Sequence, residues 1–446
     1  MGLAHTFFAL GLTAAAAGCT ASADEVRPRA DQLFFPTGAA ISPDERFLFV
    51  TNANSDLKFD SGTVNVVDLD AVDRIANDWV ANGATAPDCN PDPDRRETLN
   101  CLQESQFILA DSTARIGNFS TDIAVQDTGN GTARLIIPTR GDPSISWLDW
   151  DGTSLNCNNG NDQGIPLCDE DHRLSAVHND PDLGTLPDEP FDAFADKDGQ
   201  FAVVTHLTTG AVTLIDSPIG RPAVIADVTT GLFAADPLTG VRGATGVAGR
   251  PSANGTILYV GSRSEDRVQT LTVGRPVNEA PPFLVPGNYF FLDLVGGNAG
   301  DSSDTRTMVF SQSGERMYLI NRRPPSLQVY DTSIGPTGFP LNTGIAATDI
   351  CRQASTLAVM DAGDGERAYI TCFQDGQVYV VDPRGFGTVE DIVLVGRGPY
   401  SVVGSVAHKK IYVTNFLEDT IAVIDVSPTS PRKNRVVLRI GEVRPL

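Results

Sequence analysis

Arginine carries the most chemical information in this chain. Arg140, Arg263, Arg267, Arg322 and Arg323 follow closely on apolar, strand-like runs, while Arg352 and Arg397 stand in segments leading into the next such run. A guanidinium offers a rigid fork of donors that matches the two oxygens of a carboxylate or phosphate. If the fold gathers these seven onto one face, they would hold a small anionic ligand or an acidic glycan. The competing use is local, because Asp142, Glu265 and Asp266 are near enough in sequence to neutralise several of them.

Other reactive groupings are sparse. His5 lies in an apolar N-terminal run, His172 and His178 in a polar segment, His206 in a loop and His408 in a turn, and their spacing nominates no triad. No Gly-x-Ser-x-Gly elbow, phosphate loop or His-Glu-x-x-His pair is present, so no catalytic residue and no metal ligand is assigned from motifs. Asp68, Asp149, Asp216, Asp331, Asp382 and Asp425 recur at the ends of similar runs. Such acids cap the following turn through side-chain to backbone hydrogen bonds. No organic cofactor is expected. Calcium is the one cofactor to weigh, because Asp92-Pro93-Asp94, Asp149-Trp150-Asp151-Gly152, the stretch 158–162 and Asp169-Glu170-Asp171 crowd oxygen ligands together, although none fits an EF-hand register.

The elements that must position these residues are short strands. Between Pro399 and Gly441 four runs, 401–406, 410–415, 420–425 and 435–440, are rich in β-branched and aromatic residues and separated by turn residues. Such a meander of about 43 residues cannot bury both faces alone and needs copies beside it. A spacing rule finds them. Tyr412 precedes Asp425 by 13 residues, and the same interval joins Tyr369 to Asp382, Tyr318 to Asp331, Val203 to Asp216 and Ile136 to Asp149. Tyr259 to Thr272 keeps the interval without the acid, and Phe49 to Asp68 is six longer, with 57–62 as an insertion. Seven units result. No amphipathic helix longer than about two turns is expected.

Tyr412-Val413-Thr414-Asn415 and Phe49-Val50-Thr51-Asn52, each followed by a run ending Val-Ile-Asp or Val-Val-Asp, resemble the YVTN family of β-propeller repeats, as does Ser42-Pro43-Asp44-Glu45 before the first. The resemblance spans about residues 34–441 and implies an all-β chain: a seven-bladed β-propeller of four-stranded antiparallel blades, with no shared activity. In that geometry the first strand of each blade lines the channel. The arginine-bearing loops then share one face. Polar excursions at about 70–105 and 150–187 interrupt the first two units, so a partner is expected to touch the first three blades.

Residues 1–19 read as a lipoprotein signal. An apolar run at 7–17 ends in Ala16-Ala17-Gly18-Cys19, which would make Cys19 the lipidated residue, 20–33 a tether and 34–446 a single propeller domain. The alternative is a conventional secretory signal. Thr20 after the cysteine directs a lipoprotein to the outer membrane, facing the periplasm or the cell surface. Six further cysteines fit an oxidising compartment, and the close pairs Cys89 with Cys101, Cys157 with Cys168 and Cys351 with Cys372 would make three disulfides. A metal site is the rival for these thiols, but no Cys-x-x-Cys spacing supports it. The excursions look too polar for a core of their own, so the first two bridges would staple them.

A net charge of −23 argues against nucleic acid as a partner, since counterion release needs basic patches. Three functional classes follow. The first is a non-catalytic, lipid-anchored, monomeric propeller that binds an envelope protein, glycan or small anion. The second is a metal-dependent lactonase or esterase, which requires acids or histidines to converge at one channel mouth. The third is a periplasmic redox partner, which lacks a Cys-x-x-Cys-His haem motif.

Overall fold

The computed structural model describes residues 26–158, 164–175, 186–196, 198, 200–252, 255–276, 281–292, 303–385 and 387–445. Cys19, the signal and the start of the tether therefore lie outside the described residues, as do His178 and 159–162. The described residues form seven antiparallel sheets arranged as the blades of a β-propeller. The innermost strands, in chain order, are Pro36–Ile41, Ala124–Gly129, Pro190–Ala195, Ala244–Arg250, Thr305–Phe310, Ala354–Asp361 and Pro399–Ser405. Each blade then steps outward through consecutive hairpins.

Phe49, Tyr259, Tyr318, Tyr369 and Tyr412, which mark the repeat, are almost wholly buried. They fill the gaps between sheets. Leu48, Val67, Tyr412 and Val423 share one apolar cluster across the junction of blades 1 and 7. The 13-residue interval is a register, since the acid that closes it pairs with the residue two before the marker: Lys410 with Asp425, Arg316 with Asp331. The acids divide by use. Asp331, Asp382 and Asp425 accept from backbone N–H groups of the following turn. Asp149 and Asp216 instead pair with Arg134 and Arg275.

A β-bulge recurs at the start of the innermost strand. In blade 7 the register jumps from Pro399↔Asn415 to Val402↔Val413, leaving Tyr400 and Ser401 unpaired, and blades 1, 3, 4, 5 and 6 repeat the jump. A bulge frees two residues to point where a regular ladder would not. Hydroxyls near these bulges link each blade to the next. Thr121 donates to Phe191 O (2.5 Å), Thr205 to Thr245 O (2.5 Å), Thr245 to Thr305 O (2.6 Å), Thr307 to Ser355 O (3.3 Å), Thr356 to Tyr400 O (2.9 Å) and Thr414 to Thr37 O (2.8 Å), while the Thr37 and Ser120 hydroxyls meet at 3.3 Å. The circuit closes on itself.

The first excursion departs from the sequence expectation. Residues Leu69–Asn82 form a 14-residue helix, α1, capped by Asp68 and ended by Gly83 in the left-handed conformation. Leu69, Val72, Ala76 and Trp79 bury one side of it against blades 1 and 7. The apolar period is diluted by Asp70, Arg74 and Asp78 on its outer face and by Asp73 and Asn77, which reach towards His408 and Lys410 of blade 7. After it, the hairpin of Cys89–Pro91 and Leu99–Cys101 pairs in parallel with Arg435–Ile440, the outer strand of blade 7. Blade 1 thus reaches across the seam and extends blade 7 to six strands. Blade 2 is also widened, because Leu155–Asn156 and Arg173–Ser175 both pair with Ser144–Trp150. The three disulfides form as the spacing suggests.

Candidate functional site

The bulges make the site. Unpaired at the same end of the channel are Thr121 and Asp122, Phe191 and Asp192, Arg306 and Thr307, Ser355 and Thr356, and Tyr400, and all line one cavity of about 290 Å³. Arg140, Arg322, Gln353 and Phe373 complete its wall from the loops of that face.

Two carboxyls meet there. Asp192 stands beside Asp122, close enough for a side-chain hydrogen bond between the two carboxyls. Burial deep in the ring, the Asp122 charge and that hydrogen bond together raise the Asp192 pKa well above the usual carboxylate range. Each acid is oriented by the next blade, since Asp122 Oδ2 accepts from Ala193 N at 3.0 Å and Asp192 Oδ2 from Val247 N at 2.7 Å. The two carboxyls are therefore fixed side by side, and the neutral form of Asp192 is favoured.

The guanidiniums face them. Arg306 lies over the Phe191 ring at 5.6 Å with its Nε 2.9 Å from Asp304. Arg322 donates to neutral acceptors, Ala354 O at 2.5 Å and Ser355 Oγ at 3.3 Å. Burial first, then repulsion from Arg306, lowers its pKa to about 10, so it stays charged at neutral pH. Arg140 bonds Glu189, and its buried Nε has no hydrogen-bond partner. Tyr400 is raised to about 12 by burial and by Asp122. Its phenol keeps its proton, and no described residue bonds the hydroxyl.

Of the seven arginines singled out from sequence, Arg140 and Arg322 line this cavity, and Arg263 stands close enough to depress the pKa of Arg306 and Arg322. Arg267 does not join them. It points into blade 4, paired with Glu265 at 2.8 Å and stacked over Tyr289 at 4.6 Å, as the local-neutralisation reading allows. Arg323 and Arg352 are exposed beyond the mouth, and Arg397 lines an adjoining cavity, 3.4 Å from Glu418. Sequence reasoning missed Arg306, Asp122, Asp192 and Tyr400. The signal was a position rather than a motif. Asp192 precedes the marker Val203 by 11 residues but Asp122 precedes Ile136 by 14, because the intervening hairpin varies in length and hides the alignment.

The excursions do not assemble a cation site from described residues. Asp151 already accepts from Thr153, Ser154 and Asn156, and Asp92 from Asp94, Arg95 and Asn100. Among the described residues no cluster of three or more His, Cys, Asp or Glu side chains could hold a metal. The channel mouth in particular sets two acids, the pKa of one of them raised, against three guanidiniums. That donor set fits an anion and does not fit a divalent cation.

No protein-family model and no curated protein sequence matches the chain. Solved structures do match, and they define the class as a seven-bladed propeller. A 6-phosphogluconolactonase-like protein from Bacteroides fragilis superposes with a TM-score of 0.55 at 12% identity, over 86% of this chain and 94% of its own. The periplasmic gluconolactonase of Pseudomonas aeruginosa gives 0.53 at 17%, over 74% and 88%. Hydrazine synthase from Kuenenia stuttgartiensis gives 0.52 at 15%, over 91% and 98%. Identities this low establish the shared fold and leave the chemistry to the residues.

Proposed function

We propose that this protein is a cell-envelope propeller whose channel mouth binds a small organic anion, and that a carboxylate- or phosphate-bearing sugar acid is the class that fits. The observation that carries this reading is Arg322. Its charge is largely buried, its hydrogen bonds go to neutral oxygens, and Arg306 and Arg263 add to the positive field. Among the described residues Arg322 makes no ion pair, Asp304 acting on it only at longer range; a buried charge in that state is costly, and an anionic ligand supplies a direct partner. Three disulfides support an oxidising compartment, consistent with the lipid anchor read at Cys19 and the YVTN-like repeats.

Calorimetric titration with gluconate, 6-phosphogluconate and inorganic phosphate, with glucose as the neutral control, tests the reading. Arg322→Gln should weaken the tightest anion by about 10- to 100-fold, the value of one charge-assisted hydrogen bond. An unchanged affinity, or equal binding of glucose, would overturn it.

The carboxyl pair favours a second reading, metal-independent hydrolysis of an anionic lactone, the bond class named for two of the similar propellers. Asp122 would take a proton from water as its oxygen attacks the acyl carbon, with Arg306 and Arg322 stabilising the oxyanion. The ring C–O bond then breaks, and Asp192 protonates the departing alkoxide. Transfer of the proton from Asp122 to Asp192 across their hydrogen bond restores the starting state. Asp122→Asn should abolish lactone opening while leaving anion binding within a few-fold, and turnover that survives in that variant would remove this reading.

A further inference from the structure

The anion pocket does not end at the ring. At Gln353 and Phe373 it adjoins a second cavity, of about 560 Å³, between blades 6 and 7, walled by Gln374, Asp375, Arg397 and Leu417 among others. The Phe373 ring lies 6.1 Å from that of Phe416, which in turn meets Tyr400 at 6.1 Å and Phe35 at 5.3 Å. An aromatic shelf thus runs outward from the channel. Phe373 and Phe416 are partly exposed, and Gln353, Gln374 and Asp375 are exposed at its edge.

Gln353 supplies an independent observation. The residue immediately before the innermost strand is left-handed in five blades, Phe35 (49°), Glu189 (53°), Gly243 (63°), Gln353 (58°) and Gly398 (64°), and in blade 2 Phe119 (58°) precedes the Ser120↔Thr139 bridge in the same way. Glycine adopts that conformation freely, as it does in blades 4 and 7, so the ring needs no side chain there. Blade 6 carries glutamine there, as blades 1, 2 and 3 carry Phe35, Phe119 and Glu189, at a cost in backbone strain, and the Gln353 side-chain amide, at the mouth of both cavities, bonds no described residue. A strained residue with unused donors and acceptors at the junction of two cavities is placed for a ligand.

An aromatic face offers the C–H face of a pyranose ring an apolar bed, while amides and a carboxylate at its rim match the hydroxyls. We propose that the shelf is a subsite for a neutral sugar ring joined to the anionic unit in the channel, so that the ligand is an acidic disaccharide or the end of a longer acidic glycan. This rests on the anion-binding reading of the channel mouth.

Titration of the full chain with D-glucuronate and with two aldobiouronates of different linkage separates the two. At least one disaccharide should bind about tenfold tighter or better than glucuronate. Phe373→Ala and Gln353→Gly should each weaken the disaccharide by more than they weaken glucuronate, removing most of that gain. Gln353→Gly should do so with an equal or higher melting temperature, which a merely structural role would not produce. Equal affinity for all three acids, or equal weakening of all three by Phe373→Ala, would overturn the shelf and leave the channel reading standing. Disaccharide binding that survives Arg322→Gln but not Phe373→Ala would support the shelf and overturn the channel reading. Failure of every acid to bind would overturn both.

Discussion

Asp122, between the Ser120↔Thr139 bridge and the Ala124↔Ile136 pair of blade 2, stands where Asp192 stands in the bulge of blade 3, and the two carboxyls lie side by side across the junction of the blades. Blades 1 and 4 carry Gly38 and Gly246 at that position, and blades 5, 6 and 7 carry Thr307, Thr356 and Ser401. A pair of acids suited to proton transfer therefore occurs once among seven equivalent places. Repetition builds the frame, and the departures from it build the site.

The pair predicts a pH dependence with a definite sign. Asp192 titrates in the native state above its unfolded value of about 3.9, so between the two the native chain keeps a proton that the unfolded chain releases. Stability is therefore lost as pH rises from about 4 towards the native pKa. Asp192→Asn keeps an oxygen for Val247 N and donors for Asp122 without titrating. The melting temperatures of wild type and variant should coincide near pH 4 and diverge at higher pH, the variant being the more stable. A constant offset across the range would show that the Asp192 pKa is not raised in the native state.

Ring closure predicts a localised effect of one disulfide. The hairpin closed by Cys89 and Cys101 pairs with Arg435–Ile440, Thr98 donates to Val436 O at 2.7 Å, and Arg432 both donates to Glu97 O at 3.0 Å and lies 4.7 Å over the Trp79 ring. Replacing both cysteines by serine should cost about 2–3 kcal/mol by loop closure. Hydrogen exchange should quicken at residues 436–440 of blade 7, remote in sequence. The same change at Cys157 and Cys168 closes a loop of similar length, yet it should leave exchange in blade 7 untouched.

The seam also carries a histidine. His408 Nδ1 meets Asp73 Oδ2 at 2.9 Å and its Nε2 meets Glu45 O at 2.8 Å, joining blade 7 to blade 1 and to α1. The Asp73 hydrogen bond, opposed by burial, raises its pKa above the usual 6.5. The contribution is complete below about 6.5 and disappears as pH rises through the native value. Wild type should therefore lose stability on going from pH 6 to pH 9, and Asp73→Asn should flatten that segment of the profile while leaving the acid limb set by Asp192 in place. Denaturant midpoints measured across the range distinguish the two limbs.

The frame was legible because it is periodic: the Tyr412-to-Asp425 interval is a hairpin register, and a register repeats wherever the hairpin does. The site was partly legible, since Arg140, Arg263 and Arg322 sit in loops that the repeat itself places on one face. Arg306 was invisible for the opposite reason. It sits inside an innermost strand, where a charge is read as an edge residue, and only the bulge turns it into the channel. Helix α1 escaped because its buried stripe is thin and its other face highly charged, and the seam hairpin escaped because a parallel pairing between residues 99–101 and 438–440 leaves no local pattern.

Gly246 provides a test of the bulge itself. A Cβ there would stand 2.3 Å from the carbonyl oxygen of Arg306, with no left-handed backbone involved, so only space forbids a side chain. The neighbouring backbone belongs to blade 5 and carries the guanidinium of the pocket. Gly246→Ala must push the two blades apart at the channel, and overpacking of this kind costs about 1–3 kcal/mol. Because the displaced atom is Arg306's own carbonyl, anion affinity should fall as well. Thr356→Ala, at the equivalent position of blade 6, is the control. It removes the bond to Tyr400 O and should cost about 1 kcal/mol. The Arg306 backbone would stay where it is, and the affinity for gluconate should fall less than in Gly246→Ala. If Gly246→Ala lowered stability yet left that affinity intact, the bulge would be a packing device alone, and the position of Arg306 in the channel would have to be set by something other than the approach of blade 4.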